Sequence, residues 1–290
     1  MTVVVKIGGA RTVDPAGALA DIAVLREGGR NVAVVHGGST AMDETLERMG
    51  MEPEYVETPD GVIGRFTDEE TMLVFKMVFG QLNTDLVTGL QNEGVNAVGL
   101  NGADARLLTG PRKDAIRVVE DGKKKIRRGD HSGTIETVNS EFLELLFENG
   151  YTPVASPPML ADDIGDSQSA DSKTESRRWT AVNTDADRAS ASVAGELGAT
   201  LVSLTDVPGI FKNPDDPATV IECVETPEAL EEVERVATGF MRRKVMAARE
   251  ALVRGAEAVV VADANTDEPI RSALSGDGTT ITRDAVVTEP

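Results

Sequence analysis

Aromatic residues make up 3% of this 290-residue chain, and Cys223 is its single cysteine. One cysteine excludes an internal disulfide framework and any metal centre built on several thiolates. Cations are scarce as well: 29 lysines and arginines face 49 acidic residues, a formal net charge of −20, and 9 of the cations are lysine. Such a surface repels nucleic acid and anionic membrane, so neither is expected as a partner. Self-repulsion on this scale needs screening, and the lysine-poor, acid-rich balance resembles that of proteins adapted to high cytoplasmic salt. There is no apolar run of the roughly 18 residues a membrane helix needs, and the chain opens into a strand without a charged-then-apolar leader, so a cytoplasmic location is expected. Neither Gly-x-x-x-x-Gly-Lys-Ser/Thr nor Gly-x-Gly-x-x-Gly occurs, which speaks against a P-loop kinase and a dinucleotide-dependent dehydrogenase.

What is there begins with Val3-Val4-Val5-Lys6-Ile7-Gly8-Gly9. This reads as a buried strand ending on a cation and bare backbone. A strand interior rarely tolerates lysine, so Lys6 is expected to face a cleft rather than the core. Gly8 and Gly9 let backbone N–H groups approach an anion with no Cβ in the way. The pattern points to phosphate handling, although a strand running into a glycine turn with a solvated lysine would look the same.

The spacing predicts a helix from Pro15 to Glu27 capped by Asp14, then a short strand from Val32 to Val35 that also ends on glycines, His36-Gly37-Gly38, and a helix from Ser39 or Thr40 to Met49. Two glycine turns then lie on one carboxyl edge of a parallel sheet, where ligands bind in open α/β sheets. His36 is read as a packed or capping histidine ahead of a catalytic one. Thr58 to Gly64 reads as a loop. Thr67 and Glu70 form a capping box opening a long helix to about Glu93, and Arg65 just before it offers a fork for a carboxylate. Lys123, Lys124, Lys125, Arg127 and Arg128 put five cations into six residues of a predicted hairpin around Asp121-Gly122. In so acidic a chain that concentration suggests a docking patch for an acidic partner, against the plainer reading of a solvated hairpin. A helix from Asn139 to Asn149 and a strand from Thr152 to Ala155 follow. The polar stretch Ala161 to Thr180 reads as an inserted loop anchored by Trp179. The second half runs from Asn183-Thr184-Asp185-Ala186-Asp187 through a small-residue helix, a strand over Thr200 to Leu204 with a turn to Gly209, helices from Pro227 to Val236 and Gly239 to Arg254, and a strand over Ala258 to Val261. Alternating strands and helices imply a helix-covered parallel sheet, and the expected division is 1–182 and 183–290.

Lys6-Ile7-Gly8-Gly9, His36-Gly37-Gly38, Arg65 before Thr67-Asp68, Asn183 to Asp187, Thr205-Asp206-Val207-Pro208-Gly209 and Met241 to Lys244 together resemble the amino acid kinase family over essentially the whole chain. Within the family the set is similar to the acetylglutamate kinase branch. The segment Arg128-Gly129-Asp130-His131-Ser132-Gly133-Thr134-Ile135-Glu136, the cationic hairpin and the ending Pro269 to Gly276 resemble most the kinases acting on glutamate or aminoadipate attached to the acidic carrier protein LysW, in arginine and lysine biosynthesis.

The resemblance implies a three-layer α/β/α sandwich with a mostly parallel open sheet in two lobes, and a homodimer built through the first domain. It implies transfer of the γ-phosphoryl group of ATP, used with Mg2+, to a side-chain carboxylate. By resemblance, Lys6 and Lys244 stabilise the transition state, Asp187 orients both, and Gly8 and Gly9 contact phosphate. Gly37, Gly38, Arg65 and Asn183 hold the amino-acid substrate, and ATP lies near Thr205, Asp206 and Gly209 in 183–290. The metal is carried by phosphates and water, with no protein cage. A carboxylate is already ionised at about pH 7, so no general base is required. Catalysis then rests on positioning two anions and neutralising the transferring group. Lys123, Lys124, Lys125, Arg127 and Arg128 would dock the carrier, and closure of the two domains would assemble the site. Two other readings stay open: a kinase for free N-acetylglutamate, and a non-catalytic nucleotide-binding regulator. One methylene of substrate length is worth only about 1–3 kcal/mol in a pocket, so glutamate and aminoadipate are not separated.

Overall fold

The computed structural model describes residues 1–9, 14–59, 61–120, 122–163, 178–213 and 216–287. Its elements in chain order are β1 (Thr2–Ile7), α1 (Ala16–Glu27), β2 (Asn31–His36), α2 (Ser39–Arg48), β3 (Tyr55–Glu57), β4 (Ile63–Arg65), α3 (Glu69–Asn92), β5 (Ala97–Gly102), β6 (Leu108–Glu120), β7 (Lys123–Gly133) and β8 (Thr137–Val138). They continue with α4 (Ser140–Glu148), β9 (Thr152–Asp163), β10 (Arg178–Val182), α5 (Ala186–Glu196), β11 (Thr200–Thr205), β12 (Cys223–Val224), α6 (Pro227–Val236), α7 (Gly239–Arg254), β13 (Ala258–Asp263), α8 (Pro269–Leu274) and β14 (Thr279–Thr282).

Val3, Val4 and Val5 expose no surface, so β1 must be covered on both faces, and the alternation of a strand sends its neighbours to opposite sides. Val3, Val5 and Ile7 pack with Ile22 and Leu25 of α1, Leu90 of α3 and Ile270 of α8. Val4 belongs to the other core, with Leu143 of α4, Val193 of α5, Leu230 of α6 and Leu252 of α7. Two helix layers therefore sandwich one sheet. Among the described residues twelve strands join in it, in the order β12-β14-β13-β11-β1-β2-β9-β6-β7, with β5 and β10 also on β9 and β8 on β6. The centre is parallel: β1 pairs with β2 on one side and with β11 on the other. The antiparallel pairs β13–β14, β9–β10 and β6–β7 lie away from it. This is the three-layer α/β/α arrangement expected, and one sheet takes strands from both sides of residue 182.

Several local expectations need correction. The N-cap of α3 is Asp68, whose Oδ1 accepts from the Thr71 N–H at 2.8 Å, while Thr67 is fully buried and makes tertiary bonds. Asp68 is one residue nearer the helix and already extended, so it competes better for the free N–H groups. Thr58 to Gly64 is no plain loop, because its end forms β4, which returns antiparallel to β3. The strand from Thr152 runs on to Asp163, so Ala161 to Asp163 and Arg178 to Thr180 are the paired ends of β9 and β10. The rest of that polar stretch, 164–177, lies outside the described residues, as does Asp121 of the hairpin turn. Trp179 sits on β10 under the Arg106 guanidinium, 5.5 Å from the ring centre. Beyond Asp263 the chain adds α8 and β14, which the sequence pattern left unassigned.

Candidate active site

Strand alternation puts Lys6 on the same face of β1 as Val4, toward α5 and α7, at the carboxyl end of the strand. α5 approaches there closely because its buried face is made of Ala189, Ser190, Ala191, Ser192, Ala194 and Gly195. A Cβ on Gly195 would lie 2.4 Å from the Arg254 Cβ, so α5 and α7 can pack this tightly only with glycine in that place. Asp185 caps α5 by accepting from the N–H of Asp187 at 2.8 Å. One residue into the helix, the Asp187 Oδ1 lies 2.7 Å from Lys6 Nζ and 3.2 Å from Lys244 Nζ. Three residues from β1, α5 and α7 thus meet at one oxygen. Domain closure is not needed to bring the two lysines together, since the strand that carries Lys6 is itself bonded to β11.

Lys6 and Asp187 are buried and Lys244 nearly so, and their protonation follows from the competition between desolvation and pairing. Burial alone would raise the Asp187 carboxyl, but Lys244 and Lys6 overcome it and hold it well below the usual carboxylate range. Burial pulls Lys6 down, and Asp187 outweighs it, leaving Lys6 above the ordinary lysine value. For Lys244 burial wins, with the Lys6 charge assisting, and the ammonium is brought down to about 8. The cluster is thus one carboxylate between two cations, with an excess positive charge at the sheet edge.

The two glycine turns meet back to back. A Cβ on Gly9 would fall 2.2 Å from the Gly38 nitrogen, so Gly9 is required by backbone contact. Gly37 N donates to Ile7 O at 3.1 Å and Thr40 N to Gly9 O at 3.2 Å, which ties the turns together. Next to them opens a cavity of about 470 Å³ whose wall includes Lys6, Gly9, Gly37, Gly38, Arg65, Asn183 and Asp187. Gly8 precedes Gly9 on the same turn, and Lys244 reaches this site through Asp187. Thr205, Asp206 and Gly209 do not line this cavity. They stand at the end of β11, next to the end of β1 on the same edge, with Lys6 in register with Ser203. Gly209 packs on Thr279, whose Oγ1 accepts from the Ile210 N–H at 2.8 Å.

Arg65 has partners that sequence spacing did not reveal. Its Nη1 lies 2.6 Å from Asp43 Oδ1 of α2, poorly aligned for a hydrogen bond, and its Nη2 donates to Tyr55 Oη at 2.7 Å. Tyr55 in turn donates to Asp43 Oδ2 at 2.9 Å. Arg243, beside Lys244, donates to Ile63 O at 2.9 Å and pairs with Asp185 at 3.0 Å, so α7 grips the β3–β4 hairpin over the cavity. Neither Asp43 nor Tyr55 carries a local signal, and Arg243, although inside the Met241 to Lys244 motif, shows its partners only in the fold, because each acts through residues far away in the chain.

The cationic hairpin divides by face. Lys123, Lys125 and Arg127 share the face of Val118, which is buried against Val56 and Phe66. There Lys125 pairs with Glu120 at 2.9 Å, and Arg127 pairs with Glu54 and covers the Phe66 ring. Lys124 and Arg128 lie on the other face with Arg117, around an Ile126 that is 68% exposed. The five predicted cations thus lie on two faces: Lys124 and Arg128 share the outer one with Arg117, which the partner strand places there, while Lys123 and Lys125 stay exposed on the other. Among the described residues no three His, Cys, Asp or Glu side chains converge to hold a metal, and no helix is long and apolar enough to cross a membrane.

Paired buried ammonium groups beside bare glycine turns are the equipment of an enzyme that handles phosphoryl groups. Residues 1–263 match the amino acid kinase family. The chain is 42% identical to the LysW-aminoadipate kinase of Thermus thermophilus, over 96% of this chain and 99% of that one. It is 34% identical to the LysW-aminoadipate/LysW-glutamate kinase of Metallosphaera sedula, over 96% and 99%, and 36% identical to the acetylglutamate kinase of Methanopyrus kandleri, over 86% and 89%. Among solved structures, N-acetylglutamate synthase from Neisseria gonorrhoeae, complexed with coenzyme A and N-acetyl-glutamate, has a TM-score of 0.74 at 24% identity. That match covers 97% of this chain and spans 59% of the synthase. Carbamate kinase from Giardia lamblia bound to AMP-PNP has a TM-score of 0.63 at 16% identity, covering 97% and 98%. The structural likenesses show the fold. The chain belongs to the amino acid kinase family, and it is a phosphotransferase.

His36 is packed, as the sequence reading favoured: it is buried and stacks on Phe79 at 5.9 Å. Its Nδ1 lies 3.1 Å from Gly37 O and its Nε2 3.2 Å from Asn83 Nδ2, which assigns the proton to Nδ1. Burial lowers its pKa to about 4 from 6.5. The unfolded chain therefore takes up a proton near pH 6.5 that the folded chain refuses until about pH 4, so stability falls as pH drops through this window. Denaturant titrations should show the wild type losing on the order of 3 kcal/mol more than His36→Gln between those values. Equal slopes for the two would contradict the assignment.

Proposed function

We propose that this protein transfers the γ-phosphoryl group of ATP to the side-chain carboxylate of glutamate or 2-aminoadipate carried on an acidic, LysW-like protein. The observation that carries the chemistry is the convergence of Lys6 and Lys244 on one oxygen of Asp187, beside the Gly9–Gly38 contact. The acceptor class is supported by relatives of that name matching nearly end to end. One carboxylate oxygen of the acceptor forms a bond to the γ-phosphorus as the bond to the β–γ bridging oxygen breaks. ADP leaves with the electron pair and an acyl phosphate remains. No proton moves, which suits a site whose one nearby buried histidine has both ring nitrogens occupied by Gly37 and Asn83.

Asp187 would hold both lysines at the transferring group, with Gly8 and Gly9 offering backbone N–H groups to the phosphates. Mg2+ would arrive on the ATP phosphates and be held largely by them and by water. Thr205, Asp206 and Gly209 would take the nucleotide on the 183–290 half. Gly37, Gly38, Arg65 and Asn183 would take the acceptor on the 1–182 half, with Asp43 as the counter-charge that keeps Arg65 in place until a substrate carboxylate arrives. The outer hairpin face of Arg117, Lys124 and Arg128 would receive the acidic carrier, in the salt-rich cytoplasm that the acidic surface suits. A second copy of the chain would pack on α3, which exposes Leu73 (54%) and Met77 (57%) one turn apart.

Offering ATP with either the carrier-bound substrate or free N-acetylglutamate decides the acceptor, for turnover of the free acid alone contradicts this reading. In a hydroxamate assay, Lys6→Ala should lower the rate on the order of 10²–10³-fold, as when one preorganised electrostatic donor is removed. Lys244 is an ammonium below its pKa of about 8 and neutral above it. kcat/KM should therefore fall as pH rises through that value, and Lys244→Arg should remove this limb; a profile flat across it would refute the role. Reversing Arg117, Lys124 and Arg128 to glutamate should raise the carrier KM and leave the ATP KM alone, and equal changes in both would dismiss docking there. Leu73→Glu with Met77→Glu should convert a dimer to a monomer in sedimentation; a dimer that persists places the interface elsewhere.

A further inference from the structure

Thr67 is fully buried, and all three of its polar groups are taken by distant segments. Its N–H donates to Asp130 Oδ1 at 3.2 Å, its carbonyl accepts from the His131 N–H at 2.6 Å, and its Oγ1 accepts from Asn183 Nδ2 at 2.8 Å. The same strand stretch holds Asn183 directly: Asn183 N donates to His131 O at 2.8 Å, and Asn183 O accepts from the Gly133 N–H at 2.9 Å. Asp130 is itself 1% exposed, and its second oxygen accepts from the Ser132 hydroxyl. Among the described residues Asp130 makes no ion pair within 4 Å, and a buried carboxyl is costly unless its lone pairs are filled, so this knot is held as a unit.

Its position matters because Asp130, Ser132, Gly133 and Asn183 all line the 470 Å³ cavity. Thr67 lies two residues from Arg65, and Asn183 four residues from Asp187. The root of β7 is thus pinned to the entrance of α3 and the entrance of α5 at once. With Nδ2 committed to Thr67, the Asn183 carboxamide is held in one rotation, and its Oδ1 makes no hydrogen bond among the described residues.

We propose that Thr67 and Asp130 are positioning residues for the acceptor: they fix the Asn183 carboxamide, and the β7 wall with it, so that the cavity meets its substrate pre-shaped. This rests on the assignment of that cavity to the acceptor. An unoriented amide would have to be ordered on each binding event, which weakens acceptor binding and spares the nucleotide.

The test compares Thr67→Val, nearly the same shape without the hydroxyl, with Thr67→Ser, which keeps it. Initial rates are measured with carrier-bound acceptor and ATP varied in turn, and melting temperature is followed alongside. Thr67→Val should raise the acceptor KM roughly tenfold, with the ATP KM unchanged. Thr67→Ser should restore the wild-type value, and Thr67→Val should add nothing in an Asn183→Ala background. If Thr67→Val does not fold, Asp130→Asn should show the same split between the two KM values. A rise in both KM values, a Thr67→Ser no better than Thr67→Val, or full additivity with Asn183→Ala overturns the proposal. Wild-type turnover of free N-acetylglutamate alone would instead overturn the carrier assignment, and the same KM split measured with that acid would still support the positioning role. No wild-type turnover of either acceptor overturns both.

Discussion

A carboxylate held between two ammonium groups, largely removed from water, sets the terms for the rest of this molecule. Removing charges from water is expensive, and a buried pair is tolerated only when geometry and hydrogen bonds are good. Here Asp187 offsets one lysine fully and shares itself with a second, which leaves an excess positive charge at the edge of the sheet. Such a site is electrostatically incomplete on its own, and an anion with several oxygens completes it. The same competition explains why the two lysines differ: Lys6, closer to Asp187, keeps its proton firmly, and Lys244, desolvated beside another cation, holds its proton less tightly.

That arrangement needs three elements to arrive within hydrogen-bond distance, and each does so for a packing reason. β1 is apolar on both faces until its last turn, so Lys6 can emerge only at the carboxyl edge. α5 is built mostly of alanine, serine and glycine on its buried side, so α7 can come close enough for Lys244 to reach Asp187. Gly9 and Gly38 let two loops touch through bare backbone, which brings main-chain amides beside the cations. The continuous sheet makes this rigid, since β1 is bonded to a strand from each half of the chain.

Around this rigid edge the acceptor side is held by polar links that cross the chain. Arg65 is balanced by Asp43 and Tyr55, Arg243 ties α7 to β4, and Thr67 collects bonds from the root of β7 and from Asn183. The hairpin that carries the cations is thus joined to the cavity at its base, while Arg117, Lys124 and Arg128 on its outer face make no ion pair among the described residues. A macromolecular acceptor resting on Arg117, Lys124 and Arg128 would lie on the outside of a wall whose inside lines the cavity.

Much of this was legible in the chain before folding. Alternating apolar strands and amphipathic helices, with glycines after the first two strands, determined an α/β sheet with a ligand edge, and the helices Pro227 to Val236 and Gly239 to about Arg254 were readable because apolar spacing is a local signal. The family pattern brought Lys6, Lys244 and Asp187 into one list, but only the fold put them on one oxygen, since contacts between residues 6, 187 and 244 have no trace in spacing. For the same reason Thr67 looked like a helix cap, Arg65 looked unpartnered, and the five hairpin cations looked like one patch. A strand turns successive side chains to opposite faces, and which face is buried depends on Val56 and Phe66, far away in the chain. The sequence determined the elements and the chemistry available to them, and tertiary packing decided which charges are buried, which are paired, and which remain to meet a substrate.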